Sequence, residues 1–399
     1  MFPRLRFKKF DGDWEKTTIG AKSETVTSGS RDWAQYYSDS GDKFIRMTNL
    51  VRNGINLDLS DLRFVQLPVG SNEGKRTSLE KGDILISITA ELGKLGWIPE
   101  GLGTAYINQH IALVRMKNTL DSKFVAYALS TEKYNNKLNS LNDSGAKAGL
   151  NLGSIRSFEL TIPSKLEQTQ IASFLSAIDE KISQLTQKHE LLSQYKQGMM
   201  QKLFSQQIRF KADDGSAFGE WDLKELKEVA QVNPKVKKLP DEFIYIDLES
   251  VEKGQLLLEK NISLIDAPSR AQRLLSKGDV LFQMVRPYQQ NNYYFNLDGQ
   301  YVASTGYAQI RTDLNSKFIY FALHEKAFLD EVMNRCTGTS YPAINSSDLS
   351  SIEIQIPCLE EQTKIANFLS AIDQKIEVVA QQIEQAKTWK KGLLQQMFV

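Results

Sequence analysis

Residues 163–182 read PSKLEQTQIASFLSAIDEKI, and residues 357–376 read PCLEEQTKIANFLSAIDQKI. Fourteen of the twenty aligned positions are identical, at a constant offset of 194 in a chain of 399 residues. A period of half the chain means that one unit is written twice, and this decides the architecture before any single element is assigned. Each copy also carries a helical signature. Apolar residues recur at three- and four-residue spacing through Ile171, Leu175, Ile178, Ile182, Leu185, Leu192, Met199 and Leu203. The second copy places Ile365, Leu369, Ile372, Ile376, Val379, Ile383, Ala386, Leu393 and Met397 in the same rhythm. That is a heptad-like seam about five heptads long, which predicts two helices of roughly 55–60 Å.

A single apolar stripe of that length needs a partner. The economical partner is the other copy, packed antiparallel as an intramolecular coiled coil with a pseudo-twofold axis; the alternative is that each helix packs on its own globular domain. Ser164 and Glu167 have the S-x-x-E spacing of a capping box. The second copy has Cys358 at the cap position, which predicts a weaker helix start there.

Between the helices the pattern changes to short strands punctuated by Gly and Pro. Lys81-Gly82-Asp83 leads into a buried-strand run, copied at Lys277-Gly278-Asp279. Further strands are expected over 44–48, 107–115 and 301–311, and short ones over 158–162 and 352–356. A helix is expected near a shared Ser-Lys-Phe at Ser122 and Ser316. The late loops, GAKAGLNLGSI (145–155) and GTSYPAINSSDL (338–349), lead into the last strands. The expected fold is therefore α+β: a globular domain over 1–162, a helix over 163–205, a second globular domain over 206–356 and a second helix over 357–399.

Composition is that of an ordinary globular chain, with a formal net charge of +1 that neither demands nor excludes nucleic acid. Two cysteines, Cys336 and Cys358, both in the second half, cannot form a repeated disulfide framework and fit a reduced compartment. Three histidines, His110, His189 and His324, without a C-x-x-C pair argue against a zinc site, and all three are read as structural. The first 17 residues lack the apolar core of a secretory signal, and no apolar run approaches the ~18 residues of a membrane span, so a cytoplasmic protein is expected.

Catalytic motifs are missing. Residues 70–77, GSNEGKRT, imitate a phosphate-binding loop but have one residue too few between the glycines and Arg where a metal-binding hydroxyl belongs. There is no G-x-S-x-G, H-E-x-x-H or strand-borne G-x-G-x-x-G, no acidic E-x-K partner for Pro240-Asp241, and no adenine-holding N-P-P-[YF] or D-P-P-Y. A non-enzyme without a cofactor of its own is expected.

The same residues carry a resemblance. Glu167-Gln168, Ile171-Ala172, Phe174-Leu175, Ile178-Asp179, Lys181-Ile182 and their copies from Glu361-Gln362 to Lys375-Ile376 resemble the repeated helices of type I restriction-modification specificity subunits. The opening R-F-x-x-F-x-G-x-W at 6–14 and the K-x-G-L/M-x-Q segments at 196–201 and 390–395 are similar to that family as well. The resemblance implies two target-recognition domains, each reading half of a bipartite double-stranded DNA site. It implies a coiled coil that sets the spacing and docks two methyltransferase subunits carrying S-adenosylmethionine. Two ATP-dependent restriction subunits would complete the complex, with no membrane involved. A two-headed coiled-coil scaffold for protein partners is the alternative.

Base readout needs side chains that reach groove edges, with others to hold phosphate. In the first domain the candidates are Ser28, Ser30, Arg31 and Trp33, then Lys75 and Arg76, and Thr89 and Lys94 at the ends of a loop. In the second they are Asn233, Lys235, Lys237 and Lys238; Arg286, Tyr288, Gln289, Gln290 and Asn291; and Ser340 with Tyr341.

Overall fold

The computed structural model describes residues 3–141, 149–236 and 238–398. The chain forms two compact units, Met1–Leu185 with Gln381–Val399 and Thr186–Ala380. Each is built from the same parts. In the first unit, one four-stranded sheet has the order Ser23–Ser28, Ile111–Met116, Ile84–Ser87, Leu95–Trp97. A second has the order Tyr37–Ser38, Arg63–Val65, Asp42–Ile45, Ala105–Ile107, with the last two strands parallel. The second unit repeats the first sheet with Gln231–Val232, Tyr307–Arg311, Val280–Gln283, Tyr293–Tyr294. Its other sheet, Lys260–Ser263, Glu242–Ile246, Tyr301–Ser304, Ala271–Leu274, keeps the parallel pair as its middle two strands and adds Ala271–Leu274 antiparallel at the edge where the first unit has no strand.

The expected single strands over 107–115 and 301–311 are each two strands. Ala105–Ile107 ends in one sheet and Ile111–Met116 begins in the other; Tyr301–Ser304 and Tyr307–Arg311 divide in the same way. The polar turn Asn108-Gln109-His110, and Thr305-Gly306 in the copy, lets the chain change sheets, so an apolar run that looks continuous serves two cores. The run over 44–48 is likewise shorter, a strand Asp42–Ile45 followed by a 3₁₀ turn Met47–Asn49.

The helices α1 (Ser122–Ser130) and α3 (Ser316–Ala322) start at the shared Ser-Lys-Phe, capped by Asp121 and Asn315. The long helices are α2 (Lys165–Phe204) and α4 (Leu359–Met397). Each unit takes half of each long helix, and the two halves run antiparallel. In the first unit Phe174 meets Trp389 edge-on at 6.0 Å, and Asp179 pairs with Lys390 while accepting the Tyr127 hydroxyl at 2.7 Å. In the second unit Lys196 pairs with Asp373 and sits 5.2 Å from the Phe321 ring, which is Tyr127 shifted by 194.

The seam serves both of the expected packings at once. Ile171, Leu175 and Ile178 share one core with Leu393 and Met397 of the opposing helix and with Phe124 and Tyr127 of the globular part. Ile365, Leu369 and Ile372 do the same with Leu203, Phe318 and Phe321. Leu185, Val379 and Ile383 are buried, whereas Ile182, Leu192, Met199 and Ile376 are half-buried, as befits a two-helix stretch with less cover.

The E-Q-T motif joins head to helix. The Ser164 hydroxyl does accept the Glu167 N–H at 3.4 Å, but the Glu167 carboxylate turns away from a reciprocal cap. It takes both prongs of Arg6, at 2.7 and 2.8 Å, and Glu361 takes Arg209 at 3.1 and 2.7 Å. Both carboxylates are 1 % exposed, so the charge-assisted forks are what make their burial tolerable. Gln168 donates to Pro163 O and accepts the Asp121 N–H, and Gln362 does the same with Pro357 and Asn315.

The K-G-D turns are a second repeated device. Gly82 and Gly278 have φ of 90° and 89°, which a side chain would resist. Buried Asp83 accepts Arg115 and Asp279 accepts Arg311, which ties the sheet to its turn and raises both guanidinium pKa values through those hydrogen bonds.

Candidate nucleic-acid interface

Strand direction decides which loops meet. Ser28 pairs with Ala112, and Ser87 with Ile111, so the ends of two strands and the start of a third lie along one edge of the sheet. The segments that leave this edge are 29–33, 88–94 and 108–110. Gly29 makes the crowding possible, since a Cβ there would lie 2.2 Å from Ile107 O. Ser30 bridges to Asn108 and Thr89 to Gly149, which draws the late loop in as well. Residues 145–148 of that loop lie outside the described residues.

The second unit has the same edge. Val232 pairs with Ile310 and Gln283 with Tyr307; segments 233–236, 284–292 and 305–306 leave together, and Val285 bridges to Ala343 of the late loop. Loops that are far apart in sequence are thus gathered at one place in each unit, and they contain nearly all the candidates.

Their individual placements differ. Arg31 is exposed and has no hydrogen-bonding or ion-pair partner among the described residues, and half-buried Ser28 and Ser30 precede it. Arg76 is exposed and donates to the Thr27 hydroxyl, which places it beside the same edge; Lys75 bonds Asn72 at 2.6 Å. Thr89 is held by His110 Nδ1 at 2.8 Å. Lys94 is half-buried and paired with Glu91 inside its own loop, so it steadies the loop rather than projecting from it. Trp33, 4 % exposed, lies in a core with Phe44 and Val65, and its indole underlies the loop instead of reaching out of it.

In the second unit Lys235 is exposed, and exposed Lys238 stands 3.6 Å from Asp241; Lys237 lies outside the described residues. Asn233 is fully engaged, donating to Ser346 Oγ at 2.8 Å and accepting the Gln309 N–H at 2.9 Å. The Arg286 guanidinium lies 4.3 Å from the centre of the Tyr341 ring. Buried Gln283 donates to Val285 O and to Gln289 Oε1 and accepts the Asn291 N–H, so one side chain organises the whole loop. Asn291 Oδ1 accepts from Lys253 N at 3.0 Å. Gln290 is half-buried, while Tyr288, Ser340 and Tyr341 are exposed.

Two polar features escape the sequence reading. Asn108, Gln109 and His110 form the sheet-changing turn on the first edge, with His110 exposed. Exposed Arg270 meets the corresponding turn of the second unit, its carbonyl accepting the Thr305 N–H at 2.9 Å. A polar triplet inside an apolar run was the available signal for the first; nothing in one dimension marked Arg270. Among the described residues no group of three or more His, Cys, Asp or Glu could hold a metal, and no helix is long and apolar enough to cross a membrane.

Comparison with known proteins bears on this arrangement directly. The family model described as type I restriction modification DNA specificity domain matches residues 12–194 and again 219–388. The MjaVIII specificity subunit of Methanocaldococcus jannaschii is 26 % identical over 59 % of this chain and 60 % of its own length. The putative MjaX specificity subunit of the same organism is 25 % identical over 98 % of this chain and 94 % of its own. The crystal structure of the S subunit from M. genitalium shares the fold, with a TM-score of 0.65 at 16 % identity over 100 % of this chain and 99 % of that one. The matched segments are the two repeats, each with its sheet-edge loops and most of its long helix, and the chain therefore belongs to the type I restriction-modification specificity-subunit family, a non-catalytic DNA specificity subunit with two target-recognition domains.

Proposed function

We propose that each sheet edge reads one half of a bipartite double-stranded DNA site, and that α2 and α4 together set the distance between the half-sites and dock two methyltransferase subunits. Two ATP-dependent restriction subunits join this assembly for cleavage. In this reading the heads span 1–162 and 206–356, and the frame spans 163–205 and 357–399. The observation that carries it is the repeated sheet edge: the same backbone framework gathers Arg31, Arg76 and Thr89 in one unit and Lys235, Arg286 and Tyr341 in the other. Equal frames bearing different side chains suit a protein that reads two different sequences.

Helices of 40 and 39 residues, about 60 Å at 1.5 Å per residue, are long enough to hold a fixed separation across many base pairs at 3.4 Å each. Two like partners need two like docking places. Tyr195 and Trp389 occupy the same position of the repeat and are 50 % and 55 % exposed, large aromatic surfaces of the kind that anchor interfaces.

The test is to express the chain with its methyltransferase partner and map modified bases across the host genome. A single bipartite motif with a fixed spacer is expected. Modification without sequence preference would refute the reading.

A further inference from the structure

The two reading edges share an uncommon backbone feature. Directly after the bridged residues Thr89 and Val285, the next residue has a left-handed conformation, with φ of 56° at Ala90 and 55° at Arg286. Neither is glycine. A non-glycine residue held there in both units shows that the surrounding frame imposes the conformation regardless of side chain, and that the side chain itself is free to differ.

At the second site everything about that side chain is prepared. The Arg286 N–H is fixed to Pro342 O at 2.7 Å. Its guanidinium lies over the Tyr341 ring, and among the described residues its N–H groups have no carboxylate or other hydrogen-bonding partner, unlike those of Arg311 and Arg335 of the same unit. A guanidinium held over a ring with its N–H groups open has less rotamer freedom to lose on binding, and it offers two parallel N–H groups. Guanine O6 and N7 in the major groove are the acceptors that match this fork. Resting on the DNA reading above, we propose that Arg286 reads a guanine in one half-site, with Tyr341 as its positioning residue, and that position 90/286 is a specificity-determining position of the repeat.

The experiment uses the assembled complex of the full chain with its methyltransferase subunits, and duplex libraries randomised one position at a time. R286A and R286K are each expected to lose discrimination at one G·C pair of one half-site by roughly 5- to 150-fold, because lysine keeps the charge but lacks the fork. Discrimination at the other half-site stays at its wild-type level, which also shows that the variant is folded. Y341A, which leaves the guanidinium in place, is expected to weaken selection at the same base pair and at no other. Uniform weakening over all sequences, with a shallower salt dependence, would make Arg286 a phosphate contact and overturn the proposal, as would unchanged selectivity in R286A. If the wild-type complex shows no bipartite preference, the DNA reading itself fails; if it does and R286A matches it, only the assignment of Arg286 fails.

Discussion

Glu361→Ala should destabilise the second unit more than Glu167→Ala destabilises the first, although the two glutamates occupy the same place in the repeat. Both are 1 % exposed and both hold an arginine by two hydrogen bonds. Removing one member of such a pair strands the other, at about 3–5 kcal/mol when burial is complete. Arg209 is 23 % exposed and Arg6 14 %, so water recovers part of the loss and about 2–3 kcal/mol is the better figure for either fork. The two sites differ in their tryptophans. Trp221 Nε1 donates to Glu361 at 3.0 Å, whereas the indole N–H of Trp14 is buried with no acceptor among the described residues. Losing Glu361 therefore orphans a second donor, at about 1–2 kcal/mol more. The expected costs are about 3–5 kcal/mol for E361A and about 2–3 for E167A, with melting temperature falling about 2–4 °C per kcal/mol for units of this size. Calorimetry of the full chain measures both, and a double-mutant cycle with Arg209→Ala isolates the pair. Equal costs for the two glutamates, or a coupling below about 0.5 kcal/mol, would refute the reasoning.

Burial pushes the pKa of His324 down to about 4, with Lys196 opposing protonation and Asp373 and the Tyr320 and Gln290 carbonyls favouring it. Above about pH 6.5 the ring is neutral folded or unfolded; below it the unfolded ring takes up a proton that the folded ring refuses, so stability falls between about pH 6.5 and 4. The loss approaches about 3 kcal/mol, and His324→Gln should remove it, read as the difference between the two denaturation curves over that range. Tyr195→Ala with Trp389→Ala should weaken assembly with the methyltransferase subunits by about 2 kcal/mol or more per docking place. The Trp389 change also removes the edge-on contact with Phe174, at about 0.5–1.5 kcal/mol of stability, so titration of the labelled partner is run well below the melting temperature of each variant. Lys235→Ala should weaken DNA binding evenly across sequences and reduce the slope of log K against log salt by about 1, checked by binding at several salt concentrations.

Much of the frame was legible in one dimension. The repeat at 163–182 and 357–376 announces itself as text, and the 3.6-residue rhythm of Ile171 to Leu203 is a local property that any partner would have to satisfy. The Ser-Lys-Phe helix starts at 122 and 316 were readable because a cap acts within one turn. The role of Glu167 was not. Its spacing from Ser164 suggested a cap, but the carboxylate is claimed by Arg6, 161 residues away, and a bidentate fork outcompetes a weak local bond. Trp33 looked like a reading residue because it stands in a polar loop; it is buried by Phe44 and Val65, neither of which is near in sequence.

The sequence by itself determined that there are two units of one design, that each carries half of a long amphipathic frame, and which family they resemble, because repetition and periodicity are carried by neighbouring residues. Only the tertiary structure decided that the runs over 107–115 and 301–311 each break to serve two sheets, that the loops converge on one edge per unit, and that Ala90 and Arg286 stand in equivalent left-handed positions there. Those facts depend on strand pairing between segments tens of residues apart, and pairing is fixed by how the cores close rather than by any local pattern.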